Sequence, residues 1–311
     1  MRIPRRLLLL LCAVALVATG CGSKGTSGSN GTSSKGNVAV ASAGFTESQV
    51  LAAMYRDLLK KAGFTVTLTD VKSSEIFQSS LEKGTINVVP EYVATYADQL
   101  NTIINGANAK SVSSPDLNAS LAALKMLAAK RGLSVLEPTN AVDQNAFAVS
   151  KTYATKHNLT TLSDLGRSGL SVILAAGPEC ATRPFCAPGL GMTYGIKIKQ
   201  ISKLGVDTTQ TKSAVQKGEA QLGLVLTTDG TLADFGLVAL IDDKKLQNAD
   251  YLVPVVNAAT LKKHPEIATA LNKLVGVLTT EDLASLNKKV DAERQTPADV
   301  ASAYLKSKGL I

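Results

Sequence analysis

The residues best placed for chemistry in this 311-residue chain are Cys180 and Cys186, which stand with five residues between them in the run PECATRPFCAPG. Thiols at that distance either pair with each other or share a metal. A metal is poorly served. The spacing is not the two-residue gap of a zinc knuckle, and the only histidines, His157 and His264, are both distant in sequence. No GxSxG elbow, HExxH motif or phosphate-binding glycine loop occurs, and Gly189-Leu190-Gly191 is too short for a dinucleotide loop. No catalytic residue, metal or cofactor is therefore expected, and the chain does not read as an enzyme. Aromatic residues make up only 4%, without tryptophan, so each tyrosine or phenylalanine near a pocket carries weight.

Residues 1–20 indicate which compartment those thiols meet. Arg2, Arg5 and Arg6 precede eleven uncharged, largely apolar residues (7–17), then Ala18, Thr19, Gly20 and Cys21. This is an export signal, too short to span a bilayer, which needs about 20 apolar residues. The small residues before Cys21 resemble a bacterial lipobox, which implies cleavage before Cys21 and a lipid on its sulfur. An ordinary secretory signal is the alternative. Residues 22–36, GSKGTSGSNGTSSKG, carry no apolar side chain, so residues 21–36 read as a flexible tether with a reach of roughly 20 Å. An extracytoplasmic compartment is oxidising, so Cys180 and Cys186 are expected to form a disulfide. Three arginines of the formal +8 leave with the signal, and the remaining basic residues are scattered. A nucleic-acid surface is not expected.

With 45% hydrophobic and 19% charged residues, the mature chain has ordinary globular composition. Residues 38–43 read as a strand. Thr46-Glu47-Ser48-Gln49 reads as a capping box, opening a helix whose Val50, Leu51, Met54 and Leu58 share one face. A strand (65–71), a helix (74–83) and a strand (86–89) follow, which is the β-α-β-α-β order of a parallel α/β lobe. Helices are expected near 93–104 and 116–131. The pattern then restarts, with strands near 147–150, 172–176, 200–204, 222–226 and 238–241. After a strand at 252–256 the chain is helical: 265–278, 281–290 and 297–306, the last with Thr296 as cap and Pro297 at its first position. The polar stretches 140–145 and 248–251 are candidate crossings between two lobes. The expected boundaries are 37–143 and 252–311 for lobe 1, with 144–251 inserted as lobe 2. A cleft between lobes is the usual home of a small ligand.

Several ordered segments carry a family likeness. They are SAGFTESQVLAAMYRDLLKKAG (42–63), GTINVVPEYVATYADQL (84–100), SDL (163–165), PECATRPFCAPGLGMTYG (178–195), TTDGTLADFGLVALIDDKK (227–245) and YLVPVV (251–256). In that order the chain resembles the osmoprotectant substrate-binding proteins of ABC transporters, the glycine betaine/carnitine/choline type. The resemblance implies an α/β, two-lobed type II periplasmic-binding fold with two hinge crossings. It also implies a monomeric, lipid-anchored receptor on the outer face of the membrane, which closes on a small solute and delivers it to a permease with cytoplasmic ATPases.

Such a solute has a trimethylammonium group with no donor hydrogen, suited to aromatic faces at about 0.5–2 kcal/mol each. Its carboxylate, where present, suits arginine or a helix N-terminus. On that resemblance Tyr92 and Tyr251 are cage aromatics, Thr95 lines the pocket, Arg183 meets the carboxylate, and Ser48 and Thr46 reach the pocket from a helix start. Asn145 and Leu226 occupy positions where the family commonly has aromatics. A half-built cage implies about 10–100-fold weaker quaternary-ammonium binding, or a different solute. Other readings stay open: core packing for Tyr92 and Tyr251, a surface position for Arg183, helix capping for Asp229, and surface or inter-lobe roles for Glu47 and Glu91. A tethered sensor without a permease is the other functional class.

Overall fold

The computed structural model describes residues 34–71 and 74–311. The signal, Cys21 and most of the tether lie outside the described residues. The last tether residues are docked rather than free: the Lys35 N–H donates to Gly63 O at 2.9 Å, and the Thr65 N–H donates to Gly36 O at 3.0 Å. The described residues 34–36 thus pack on lobe 1, ahead of the expected start at Asn37.

The chain first lays down β1 (Asn37–Ser42), α1 (Thr46–Lys61), β2 (Thr65–Asp70), α2 (Ser74–Lys83), β3 (Val88–Tyr92), α3 (Val93–Asn105), α4 (Leu117–Lys130) and β4 (Leu133–Val135). It then crosses to β5 (Asn145–Ser150), α5 (Lys151–His157), α6 (Leu162–Arg167), β6 (Ser171–Ala176), α7 (Ala187–Tyr194), β7 (Lys197–Lys203), α8 (Thr209–Gln216), β8 (Leu222–Leu226) and β9 (Leu237–Leu240). It returns through β10 (Leu252–Asn257) to α9 (Ala258–Lys263), α10 (Glu266–Leu271), α11 (Thr280–Asp291) and α12 (Pro297–Ser307).

Two five-stranded sheets result, ordered β2-β1-β3-β10-β4 and β7-β6-β8-β5-β9. Their layouts correspond. Each has three parallel strands, beside which the strand that has just arrived from the other lobe runs antiparallel: β10 against β3, and β5 against β8. The two connections between lobes, 136–144 and 241–251, pair with each other. Val142 bridges Tyr251 antiparallel, the Asp143 N–H donates to Asp250 O at 3.1 Å, and the Leu252 N–H donates to Ala141 O at 3.0 Å.

The apolar stripe expected on α1 is real, and α10, α11 and α12 supply its partners. Val50, Leu51, Met54 and Leu58 are buried in one cluster with Ile267, Leu271, Leu283, Leu286 and Leu305. Lobe 2 has its own core around Phe147, Leu174, Leu190 and Leu222. Among the described residues no helix is long and apolar enough to cross a membrane.

Candidate functional site

Strand ends and helix starts of both lobes converge on the crossings and enclose two neighbouring chambers. The first, of about 460 Å³, is lined by Phe45, Thr46 and Glu47 from the β1–α1 turn, by Asn287 on α11, and by Lys212 and Asp229 of lobe 2. The second, of about 350 Å³, is lined by Thr95 on α3, by Asn145, Arg183 and Phe185 of lobe 2, and by Asn248 and Asp250 from the second crossing. Asp143 and Leu226 line both chambers.

Carboxylates dominate these walls. Glu47 is buried and accepts from the Tyr92 hydroxyl at 2.6 Å and from Asn287 Nδ2 at 2.8 Å. Burial raises its pKa, and those hydrogen bonds oppose the rise only in part. Asp143 accepts from the Thr228 hydroxyl at 3.1 Å. Burial, reinforced by the charge of Glu47, pushes its pKa up to about 8. Asp250 caps α3: it accepts from the backbone N–H groups of Ala94 (2.9 Å) and Thr95 (3.0 Å) and from the Thr95 hydroxyl (2.6 Å). Burial also raises its pKa, against those bonds.

Cations are fewer. Lys212 is buried and committed, with Asp229 Oδ2 at 2.9 Å, Asp207 Oδ1 at 3.5 Å and the Phe235 ring centroid at 5.6 Å. Burial, followed by the charge of Asp229, pushes Asp207 up to about 7. Arg183 makes no ion pair among the described residues and lines the second chamber. No group of three or more His, Cys, Asp or Glu stands where it could hold a metal, among the described residues.

The expected site residues divide. Thr95, Asn145, Arg183 and Leu226 come together on the second chamber, and Thr46 lines the first. Thr46 opens α1 but does not cap it. The cap position is Phe45, with no side-chain bond, while the Thr46 hydroxyl donates to Asp291 at 2.6 Å and Gln49 Nε2 donates to Asp70 at 2.5 Å. The capping-box reading fails because both side chains find tertiary partners. Ser48 does not reach a chamber. It is buried, and its hydroxyl accepts the Ala43 N–H at 2.8 Å, closing the β1–α1 turn. Tyr92 lines neither chamber, because β3 is buried on both faces. Its ring stacks on Phe45 at 6.4 Å between centroids and its hydroxyl holds Glu47, so it supports the two groups that do line the wall. Tyr251 faces a separate recess of about 230 Å³ against the crossings, with Val142 and Thr280. Asp229 ties Thr231 and Lys212 together, accepting from the Thr231 N–H at 2.7 Å.

Phe45, Asp143, Phe185 and Asp250 escaped the sequence reading, and Glu47 was named only with a surface or inter-lobe role left open. A signal for Phe45 existed: it sits in the turn leaving β1 of an α/β lobe, where ligands gather, whereas Phe185 lies in the longer β6–α7 connection. The disulfide between Cys180 and Cys186 is present, with both residues buried.

Two lobes joined by paired crossings, each lobe contributing walls to chambers of solute size, define a bilobal solute receptor. Residues 36–307 match the model of a family described as the substrate binding domain of ABC-type glycine betaine transport system, and the chain belongs to that family. It is thus the binding component of a transport system, not an enzyme. It is similar to a glycine-betaine-binding protein of Pseudomonas aeruginosa, at 29% identity over 276 residues covering 86% of each chain. It is also similar to the carnitine transport binding protein OpuCC of Listeria monocytogenes, at 26% identity over 96% of this chain and 94% of that one. The solved structure of apo YehZ from Escherichia coli superposes with a TM-score of 0.74, at 25% identity over 88% of this chain and 99% of that one.

Proposed function

We propose that this receptor captures a small quaternary-ammonium osmolyte of the betaine, carnitine or choline type between its lobes and hands it to its permease. The observation that carries the reading is the second chamber. Asp250 offers a carboxylate to a trimethylammonium group, whose approach would also draw Asp143 toward its ionised form, and Arg183, with no ion pair among the described residues, offers a guanidinium to a carboxylate. The ring of Phe185 stands on the wall of this chamber and takes over part of the aromatic role that Asn145 and Leu226 do not fill, while Phe45 lines the neighbouring chamber. The names of the relatives, glycine betaine and carnitine binding proteins, support the same class of solute. We further propose that the chain works as a monomer, held at the outer face of the membrane by a lipid on Cys21.

Calorimetry with glycine betaine, carnitine and choline tests the ligand. At least one binds, and Arg183→Ala weakens the two carboxylated solutes at least tenfold while leaving choline within threefold. Absence of binding by all three, or an equal loss for choline, refutes the assignment.

A further inference from the structure

The segment between β6 and α7 brings lobe 2's guanidinium and a ring to the second chamber with almost no packing of its own. After Gly177 the chain makes one 3-10 turn (Pro178–Ala181) and reaches Cys186, the cap residue of α7. The five residues between the cysteines, 181–185, are all exposed, whereas Cys180 and Cys186 are 1% and 2% exposed. Two of those five, Arg183 and Phe185, line the chamber. An exposed loop recovers little from burial to offset its ordering entropy, so its shape depends on its tethers.

Those tethers are few and local. The Arg183 N–H donates to Glu179 O at 3.1 Å and the Cys186 N–H donates to Arg183 O at 3.0 Å, folding the chain tightly about Arg183. Gln247 Nε2 donates to Phe185 O at 2.9 Å, which ties the loop to the second crossing. At Gly189 a Cβ would fall 2.1 Å from Pro184 O, so the loop lies directly on α7. The covalent closure, with Cα atoms 5.2 Å apart, spans all of this.

We propose that the Cys180–Cys186 disulfide is a positioning element of the solute site, fixing Arg183 and Phe185 over the second chamber, so that its loss lowers affinity for carboxylated solutes in a chain that stays folded. This rests on the reading that the second chamber holds the solute. The bond acts by shortening the list of loop shapes in both the empty and the occupied receptor, so less ordering remains to be done on binding.

The test compares the oxidised chain with the Cys180→Ala/Cys186→Ala double variant, using glycine betaine and carnitine as probes in calorimetry at 25 °C. Affinity falls at least tenfold in the variant. In an Arg183→Ala background, removing the bond costs at least threefold less than in the parent, because only the contribution of Phe185 is left to lose, a coupling that a merely stabilising bond does not produce. Unchanged affinity, or an equal loss in both backgrounds, overturns the proposal. Should the double variant fail to fold, phosphine reduction of the folded chain replaces it. The phosphine is oxidised, each sulfur takes a proton, and mass spectrometry confirms the two added hydrogens. Hydrogen exchange over residues 177–187 needs no solute. It accelerates at least tenfold on loss of the bond, and unchanged exchange overturns the proposal even where neither probe binds, an outcome that by itself refutes only the assignment of the solute.

Discussion

Replacing Gly230 by alanine should hold the lobes apart. Gly230 lies in the turn that follows β8, and a Cβ built there falls 2.0 Å from Ala284 O and 2.8 Å from Lys288 Cβ, both on α11 of lobe 1. The first distance is roughly 1.5 Å short of ordinary contact. Gly230 is not among the glycines with positive φ, so alanine strains no backbone angle and the effect is purely one of space. Two bonds flank the contact: Asn287 Nδ2 donates to Thr228 O at 3.2 Å, and Lys288 Nζ pairs with Asp234 Oδ1 at 2.7 Å. A displacement of more than an ångström breaks the first and loosens the second. Overpacking of this kind costs about 1–3 kcal/mol, and it falls on the arrangement in which the β8 turn rests on α11. A receptor that binds when closed then loses affinity by the same factor, about 5- to 150-fold. Each lobe keeps its own core, so the thermal midpoint should move little. Calorimetry gives the affinity, and solution X-ray scattering with saturating solute reports the separation of the lobes. Affinity within twofold of the parent, with an unchanged scattering curve, refutes the argument.

Asp143 should make stability depend on pH. Its pKa is about 8 in the folded chain, against 3.8 when free, so the folded state holds a proton that the unfolded state has released between those values. Stability therefore declines as pH rises through that window and levels off above about 8, each tenfold change in proton affinity being worth about 1.4 kcal/mol. Asp143→Asn keeps an acceptor for Thr228 and removes this slope. Urea titrations at pH 5, 7 and 9 should show the variant gaining on the parent by a few kcal/mol as pH rises, and a constant difference contradicts the cause given. Cys21→Ala should move the expressed protein from the membrane fraction to the soluble one. Retention at the membrane would remove the lipid anchor.

The sequence carried the architecture where local signals and burial agree. The helix expected at 74–83 and the strand expected at 222–226 match α2 and β8, because a glycine stops the first and an unbroken apolar run makes the second. It failed where tertiary partners decide. Three-residue β4 exists only because β10 offers it an edge. The helix α7 contains Pro188, Gly189 and Gly191 and is not among the expected helices, yet Pro at its first turn is tolerated and Leu190 is fully buried. One helix expected over 265–278 is instead α10 and a 3-10 turn, ending where Gly276 adopts φ 74°. Of the site residues expected from the family resemblance, Thr95, Asn145, Arg183 and Leu226 line the second chamber, whatever element carries them. The carboxylates Glu47, Asp143 and Asp250 were not legible in that way. A sequence shows an acidic residue near a helix start or in a polar crossing, but whether it is buried depends on chain brought from elsewhere.

The place of β10 in its sheet sets a timetable for assembly. It lies between β3 and β4, yet more than a hundred residues separate it in sequence from β4. All five strands of lobe 2 fall within 145–240, so that half can complete its sheet while the other still has an empty slot. Until residues 252–257 emerge from the ribosome, β3 and β4 present bare edges and α1 lacks the C-terminal helices that cover it. The nascent first half therefore remains incomplete to the end of synthesis, whereas the inserted half matures ahead of the segment that encloses it.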